Sequence, residues 1–175
     1  MDTGEITAEL ERAAADFRVL VDTATVAELR RGSDGTRWTN EQLLFHMLFG
    51  YLLVRNLLPL VKIMARLPDG VSRRFAAALN AGTRPFHVVN YVGSLGGARV
   101  LGHGGMQRLM DRVIRSLVRS LNRQTPAGLD RGMHFPVGWD PYFRDFMTIA
   151  EIYHYPTQHY EHHRRQLTLG GATQS

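Results

Sequence analysis

The sequence predicts an all-α protein: a four-helix bundle with a long irregular crossover between the second and third helices. Three observations carry that prediction. Apolar residues recur at helical spacing in four long segments. Turn signals separate them, among them "GSDGT" at 32–36, "LPDG" at 67–70 and "TPAGLDRG" at 125–132. Strand patterning is scarce, and its best candidate, "FHVVNYV" at 86–92, has no second strand to pair with. A chain of 175 residues can bury a full core, and it is read as one domain over 1–175.

The first helix is expected over residues 5–31, where Ile6, Leu10, Ala13, Ala14, Phe17, Leu20 and Val21 form one apolar stripe. The second has the clearest start. Thr39 can cap it, Gln42 stands three residues on as in a capping box, and Trp38 and Leu43 suit a hydrophobic staple. It should run from Asn40 to about Arg66, with a kink at Pro59. Residues 43–65 are apolar enough to suggest a membrane span, but His46, Arg55, Asn56 and Lys62 interrupt them. A buried core helix is the better reading. With no basic start and apolar run at the N-terminus, the expected location is cytoplasmic, without a membrane.

Residues 67–105 read as a crossover. "VSRRFAAALN" suits a short helix, but six glycines fall between 93 and 105. They do not match the dinucleotide-binding fingerprint. The third helix is expected over 106–124, buried through Leu109, Met110, Val113, Ile114, Leu117, Val118 and Leu121. Arg108, Arg112, Arg115, Arg119 and Arg123 form its opposite stripe. Net charge is +5 and the isoelectric point near 10.1, which permits a nucleic-acid partner. No aromatic residues interleave the stripe, so a solvated helix face is the preferred reading. The fourth helical region should start near Pro141 and reach Leu169, with Pro156 kinking it or opening a second helix. "HFPVGWDPYF" at 134–143 reads as a structured loop that forms a pocket wall.

With no cysteine, any metal must be held by His, Asp or Glu, and any thiol chemistry must use an external thiol. His159 and His163 stand four apart, hence on one helix face, with Gln166 about one turn further on. His162 projects to one side. Alone, that pair fits a ligand pair or a solvated face equally. His46 sits among Leu44, Phe45, Met47 and Leu48; alone, it reads as a core histidine bonded to a carbonyl or carboxylate. Taken together, one histidine from the second helix and two from the fourth could bind one face of an ion and leave positions open. His103 could add a fourth ligand or carry protons, and Tyr155 falls on the ligand face if the helix continues through Pro156.

"WTNEQLLFHMLFGYLLVRN" and "HYEHHRRQL" resemble the second- and fourth-helix motifs of the DinB/YfiT-like metal-binding superfamily. The resemblance carries His46, His159 and His163 over as metal ligands, and Gln166 as the residue that commonly follows the last of them. It implies a four-helix bundle, often a homodimer, with zinc, nickel, iron or manganese. It also implies a transferase or isomerase that uses mycothiol or bacillithiol with a small-molecule substrate; hydrolysis, with water in the open positions, is the alternative reaction. Two other readings stand beside it: a non-catalytic, metal-stabilised bundle that binds a ligand or partner, and a nucleic-acid binder using the arginine stripe.

Overall fold

The structure is a computed structural model and describes residues 2–170. Helix α1 spans Thr3–Thr23 and starts on a capping box, Asp2 accepting from the Glu5 amide while Glu5 accepts from the Asp2 amide. Its buried face is Ile6, Leu10, Ala13, Phe17, Leu20 and Val21. The chain then turns extended at Ala24, and a second capping box, Thr25 with Glu28, opens the short α2, Val26–Arg30. The single helix expected over 5–31 is therefore two. A threonine side chain that takes up a backbone amide offers the chain an alternative to helix continuation.

Helix α3, Asn40–Met64, starts at Thr39 with the Gln42 capping box the sequence predicts, and Pro59 lies inside it. Such caps contribute about 1 kcal/mol each. The α3 helix alone among the described residues is long and apolar enough to cross a membrane. It is instead the spine of the core: Leu43, Leu44, Met47, Leu48 and Tyr51 are fully enclosed.

The crossover is where the structure departs most from expectation. Residues 67–105 are not an irregular loop. They form α4, Asp69–Ala81, and the first half of α5, Thr83–Leu121. Within α5 the helical path breaks only at Gly102, whose φ of 57° and ψ of 179° are open to glycine and closed to other residues. After the short α6, Pro126–Leu129, strand β1, Gly132–His134, pairs antiparallel with β2, Phe146–Thr148, so that Met133 faces Met147. The last helix, α7, Ile149–Arg164, therefore starts eight residues later than expected from Pro141. Residues 141–145 are turns, and Thr148 with Glu151 forms the true cap. Pro156 neither ends nor restarts α7; it sits buried inside it.

Helix α3 packs against α5 and α7, and α1 closes the bundle against the same two helices. Polar ties fix the α1–α7 seam: the Tyr160 hydroxyl donates to Asp16 at 2.7 Å, and Arg164 Nε donates to the same carboxylate at 2.8 Å.

The β-hairpin is tied to α4 by His134. Its Nδ1 lies 3.1 Å from Asp145 Oδ1 and its Nε2 lies 2.9 Å from Asp69 Oδ1. Only the imidazolium can donate at both nitrogens. Hydrogen bonding to Asp145, then to Asp69, raises the His134 pKa against the opposing effect of burial. A raised folded-state pKa gives stability that is complete below the unfolded value of about 6.5 and is lost as pH rises through the folded value. Thermal midpoints should therefore fall as pH rises above about 6.5, and His134→Asn should flatten that slope. An unchanged slope in the variant would remove His134 from the account.

Candidate metal centre

One histidine of the cluster comes from α3 and two from α7. The four-residue spacing sets His159 and His163 on one face of α7, and the packing of α3 on α7 brings His46 between them. His46 Nε2 lies 3.2 Å from His163 Nε2 and 3.2 Å from His159 Nε2. Ligand atoms from the three residues all lie within 4.8 Å of one another. Tetrahedral metal–nitrogen bonds of about 2.0–2.1 Å would space such nitrogens by roughly 3.3 Å. The two separations from His46 Nε2 match that spacing, and lone pairs so close repel one another unless a cation takes them up. The donor set fits a divalent ion.

The outer ring nitrogens support the same orientation. Ser94 Oγ donates to the Asn90 carbonyl at 2.8 Å, leaving its lone pairs to accept from His46 Nδ1 at 3.4 Å. His163 Nδ1 donates to Gln166 Oε1 at 2.6 Å. With Nδ1 protonated, Nε2 carries the lone pair a metal needs. Burial, then repulsion from His163, pushes His46 down to about 3. Burial also pushes His163 down to about 4, and holds His159 well below its ordinary value with help from His46 and His163. All three are neutral at physiological pH.

Two further groups fix the rings. Trp38 stacks on His46 at 4.3 Å between centroids, with a 29° angle between the planes. His159 packs onto Gly50, one turn after His46 in α3. A Cβ there would lie 2.8 Å from His159 Nδ1 and 3.3 Å from Cε1. Among the described residues His159 Nδ1 is buried with no partner, so on this side of the ring packing positions it. Gly50→Ala should therefore displace this ring. A forced core displacement of about 1–3 kcal/mol corresponds to roughly 5- to 150-fold in metal affinity. Chelator competition on the variant reads this directly, and wild-type affinity would refute the packing argument.

The remaining candidates separate. Gln166 touches the centre through His163. Tyr155 lies on the ligand face, its ring 6.0 Å from that of His159. The His162 ring is 4.9 Å from that of His163 but packs on Tyr142. His103 lies outside the cluster and pairs with Glu41 at 3.1 Å. The arginines Arg108, Arg112, Arg115, Arg119 and Arg123 are exposed on α5 and its C-terminal turn.

Sequence reasoning missed Asp140. It sits in the turn between β1 and β2, with its side chain only 12% exposed. Its Oδ1 accepts from the Tyr142 amide at 2.9 Å and its Oδ2 from the Tyr155 hydroxyl at 2.9 Å. The same Oδ2 lies 3.8 Å from His159 Nε2. Burial raises its pKa against those two hydrogen bonds. The only signal in the sequence was its place in the aromatic stretch read as a pocket wall.

His46 and His159 are each 4% exposed, so the centre meets solvent through His163. A cleft of about 480 Å³ opens there, lined by Arg37, Trp38, His87, Asn90, Tyr91 and Gln166 among others, with no carboxylate in its lining among the described residues. Arg37 lies over the Tyr91 ring at 5.0 Å. On the other side, behind Tyr155, is an apolar cavity of about 130 Å³ walled by Phe75, Phe135, Trp139 and Phe143.

Residues 9–167 match the family model of the DinB superfamily. The chain belongs to the DinB superfamily. A similar solved structure is that of YfiT from Bacillus subtilis, described as a probable metal-dependent hydrolase with an unusual four-helix bundle topology. It superimposes with a TM-score of 0.66 at 16% identity, covering 95% of this chain and 83% of that one. At this identity the likeness shows the shared fold. No curated protein matches the chain. As a DinB-superfamily member it has the expected four-helix bundle, here with a helical crossover and a β-hairpin.

Proposed function

We propose that this DinB-superfamily protein is a metal-dependent enzyme that activates an external nucleophile, water or a low-molecular-weight thiol, against a small-molecule substrate. The convergence of three neutral imidazoles in the bundle core, with His46 Nε2 3.2 Å from Nε2 of each of the other two, carries the reading. When bound, a divalent ion supplies Lewis acidity and lowers the pKa of a group on its open side. The chain supplies the rest. His46, His159 and His163 provide nitrogen donors that hold no proton on the inner side. Gln166 and Ser94 keep two of those tautomers in place, and Trp38 keeps the His46 ring from turning. The absence of cysteine means the nucleophile cannot come from a thiol of this chain. The cleft at His163 is the route for substrate. Its one fixed cation, Arg37, and its acid-free lining favour a substrate with an anionic group. Three histidines suit several first-row ions, so zinc, nickel, iron and manganese are all tested.

The test loads purified protein with each metal in turn. Each form is then assayed for ester and amide hydrolysis, and for conjugation of mycothiol or bacillithiol to an electrophile. Turnover that needs the metal and disappears in His46→Ala is the expected result, and which assay responds identifies the nucleophile. Failure to retain any of the four metals would overturn the proposal.

A further inference from the structure

The structure assigns Asp140 to the metal centre as an outer hydrogen-bond acceptor, held in place by Tyr155, that orients the group bound on the ion's open side. The inference rests on the metal-dependent reading above and adds a carboxylate to it.

The argument begins with an isolated carboxylate. Asp140 is almost enclosed, and among the described residues no lysine or arginine pairs with it; its nearest basic neighbour is His159 Nε2, at 3.8 Å. An enclosed carboxylate without a cation is costly, and such groups in folded proteins are paired or face a metal. The missing charge is the one that the three histidines are built to hold. Direct coordination does not fit as well. The group of ligand atoms lying within 4.8 Å of one another comprises the three histidines and not Asp140. The carboxylate approaches the centre from the His159 side alone, at 3.8 Å from Nε2. A carboxylate so placed accepts a hydrogen bond from a bound molecule and does not replace it.

Tyr155 is the positioning residue. It stands four residues before His159 on α7, so both reach the same side of the centre. Its hydroxyl donates to Oδ2, the oxygen nearer His159. The Tyr142 amide occupies Oδ1. These two donors, from different segments, leave Oδ2 a fixed direction and spare lone-pair capacity. Tyr155 also forms part of the wall of the apolar cavity.

The experiment measures zinc affinity by competition with a chromophoric chelator, and the visible spectrum of the cobalt-loaded full chain. Asp140→Asn should weaken zinc binding about 10- to 100-fold, the usual range for an outer partner of a metal centre. The cobalt bands should keep their intensity, because no ligand atom is lost. Tyr155→Phe should act in the same direction with a smaller loss. Asp145→Asn, an exposed carboxylate in the same connection, should leave affinity unchanged. Zinc affinity of Asp140→Asn within twofold of wild type overturns the inference alone. Cobalt bands that report a changed coordination number also overturn it, since Asp140 would then be a direct ligand. Wild-type protein that binds no zinc overturns the metal-dependent reading together with the inference. Should Asp140→Asn fail to fold, Tyr155→Phe decides: a threefold or greater loss supports the assignment, and unchanged affinity refutes it.

Discussion

Alanine at His46 is expected to weaken divalent-metal binding by more than about 100-fold, beyond the loss that follows removal of an outer partner. His46 is the only one of the three ligands on α3, and its Nε2 is the shared 3.2 Å neighbour of both others. Without it the ion would face two imidazoles from one helix and a void. The consequence for stability follows by linkage. A ligand at 100 times its dissociation constant stabilises the folded state by about 2.7 kcal/mol. For a chain of this length that is roughly 5–11 °C in thermal midpoint. Wild-type protein should show this shift on adding zinc, and His46→Ala should show almost none. Acid should act oppositely on the metal-free wild type. All three histidines have lowered pKa values in the folded state, so each binds a proton more readily once unfolded. Stability is therefore complete above the unfolded value of about 6.5 and is lost as pH falls through the folded values, about 4 for His163 and about 3 for His46. A midpoint for His46→Ala that responds to zinc as wild type does would sink the three-histidine centre.

The three-histidine cluster was legible because it obeys a period. His159 and His163 share a helix face by spacing alone, and His46 stood out as a polar residue in an apolar run behind a well-marked capping box. Family resemblance at the same two motifs then joined them. Asp140 obeys no period. It reaches the centre from a turn whose path depends on the Met133–Met147 pairing of a three-residue hairpin, too short to show as alternation. Ser94 and Asn90 were hidden for another reason: they lie in the segment read as an irregular crossover. The start of α7 was misplaced because Phe143 and Phe146 fit a helical stripe in projection, whereas the Thr148–Glu151 capping box marks where the helix begins.

The misread crossover has a physical cause that a single substitution can expose. Glycine costs about 1 kcal/mol against alanine in a helix interior, so six between 93 and 105 argue locally against helix. What that accounting omits is the neighbour. Where α5 crosses α3, a Cβ on Gly97 would lie 2.1–2.5 Å from three ring atoms of Phe45. Ser94 and Ala98, buried on the same stretch of α5, keep the approach close. Phe45 immediately precedes His46, so this contact also sets how α5 meets the metal-binding turn. Gly97→Ala should therefore destabilise the protein by about 1–3 kcal/mol through overpacking, despite the better helix former. In a Phe45→Leu background, where the ring is gone, the same change should be neutral or stabilising by up to about 1 kcal/mol. Urea unfolding of the four chains of this double-mutant cycle gives the coupling directly. A Gly97→Ala chain more stable than wild type would mean that the glycine is not there for Phe45. A cycle with the expected sign would explain how a glycine-rich segment, disfavoured by local propensity, is held helical by the one close contact it permits.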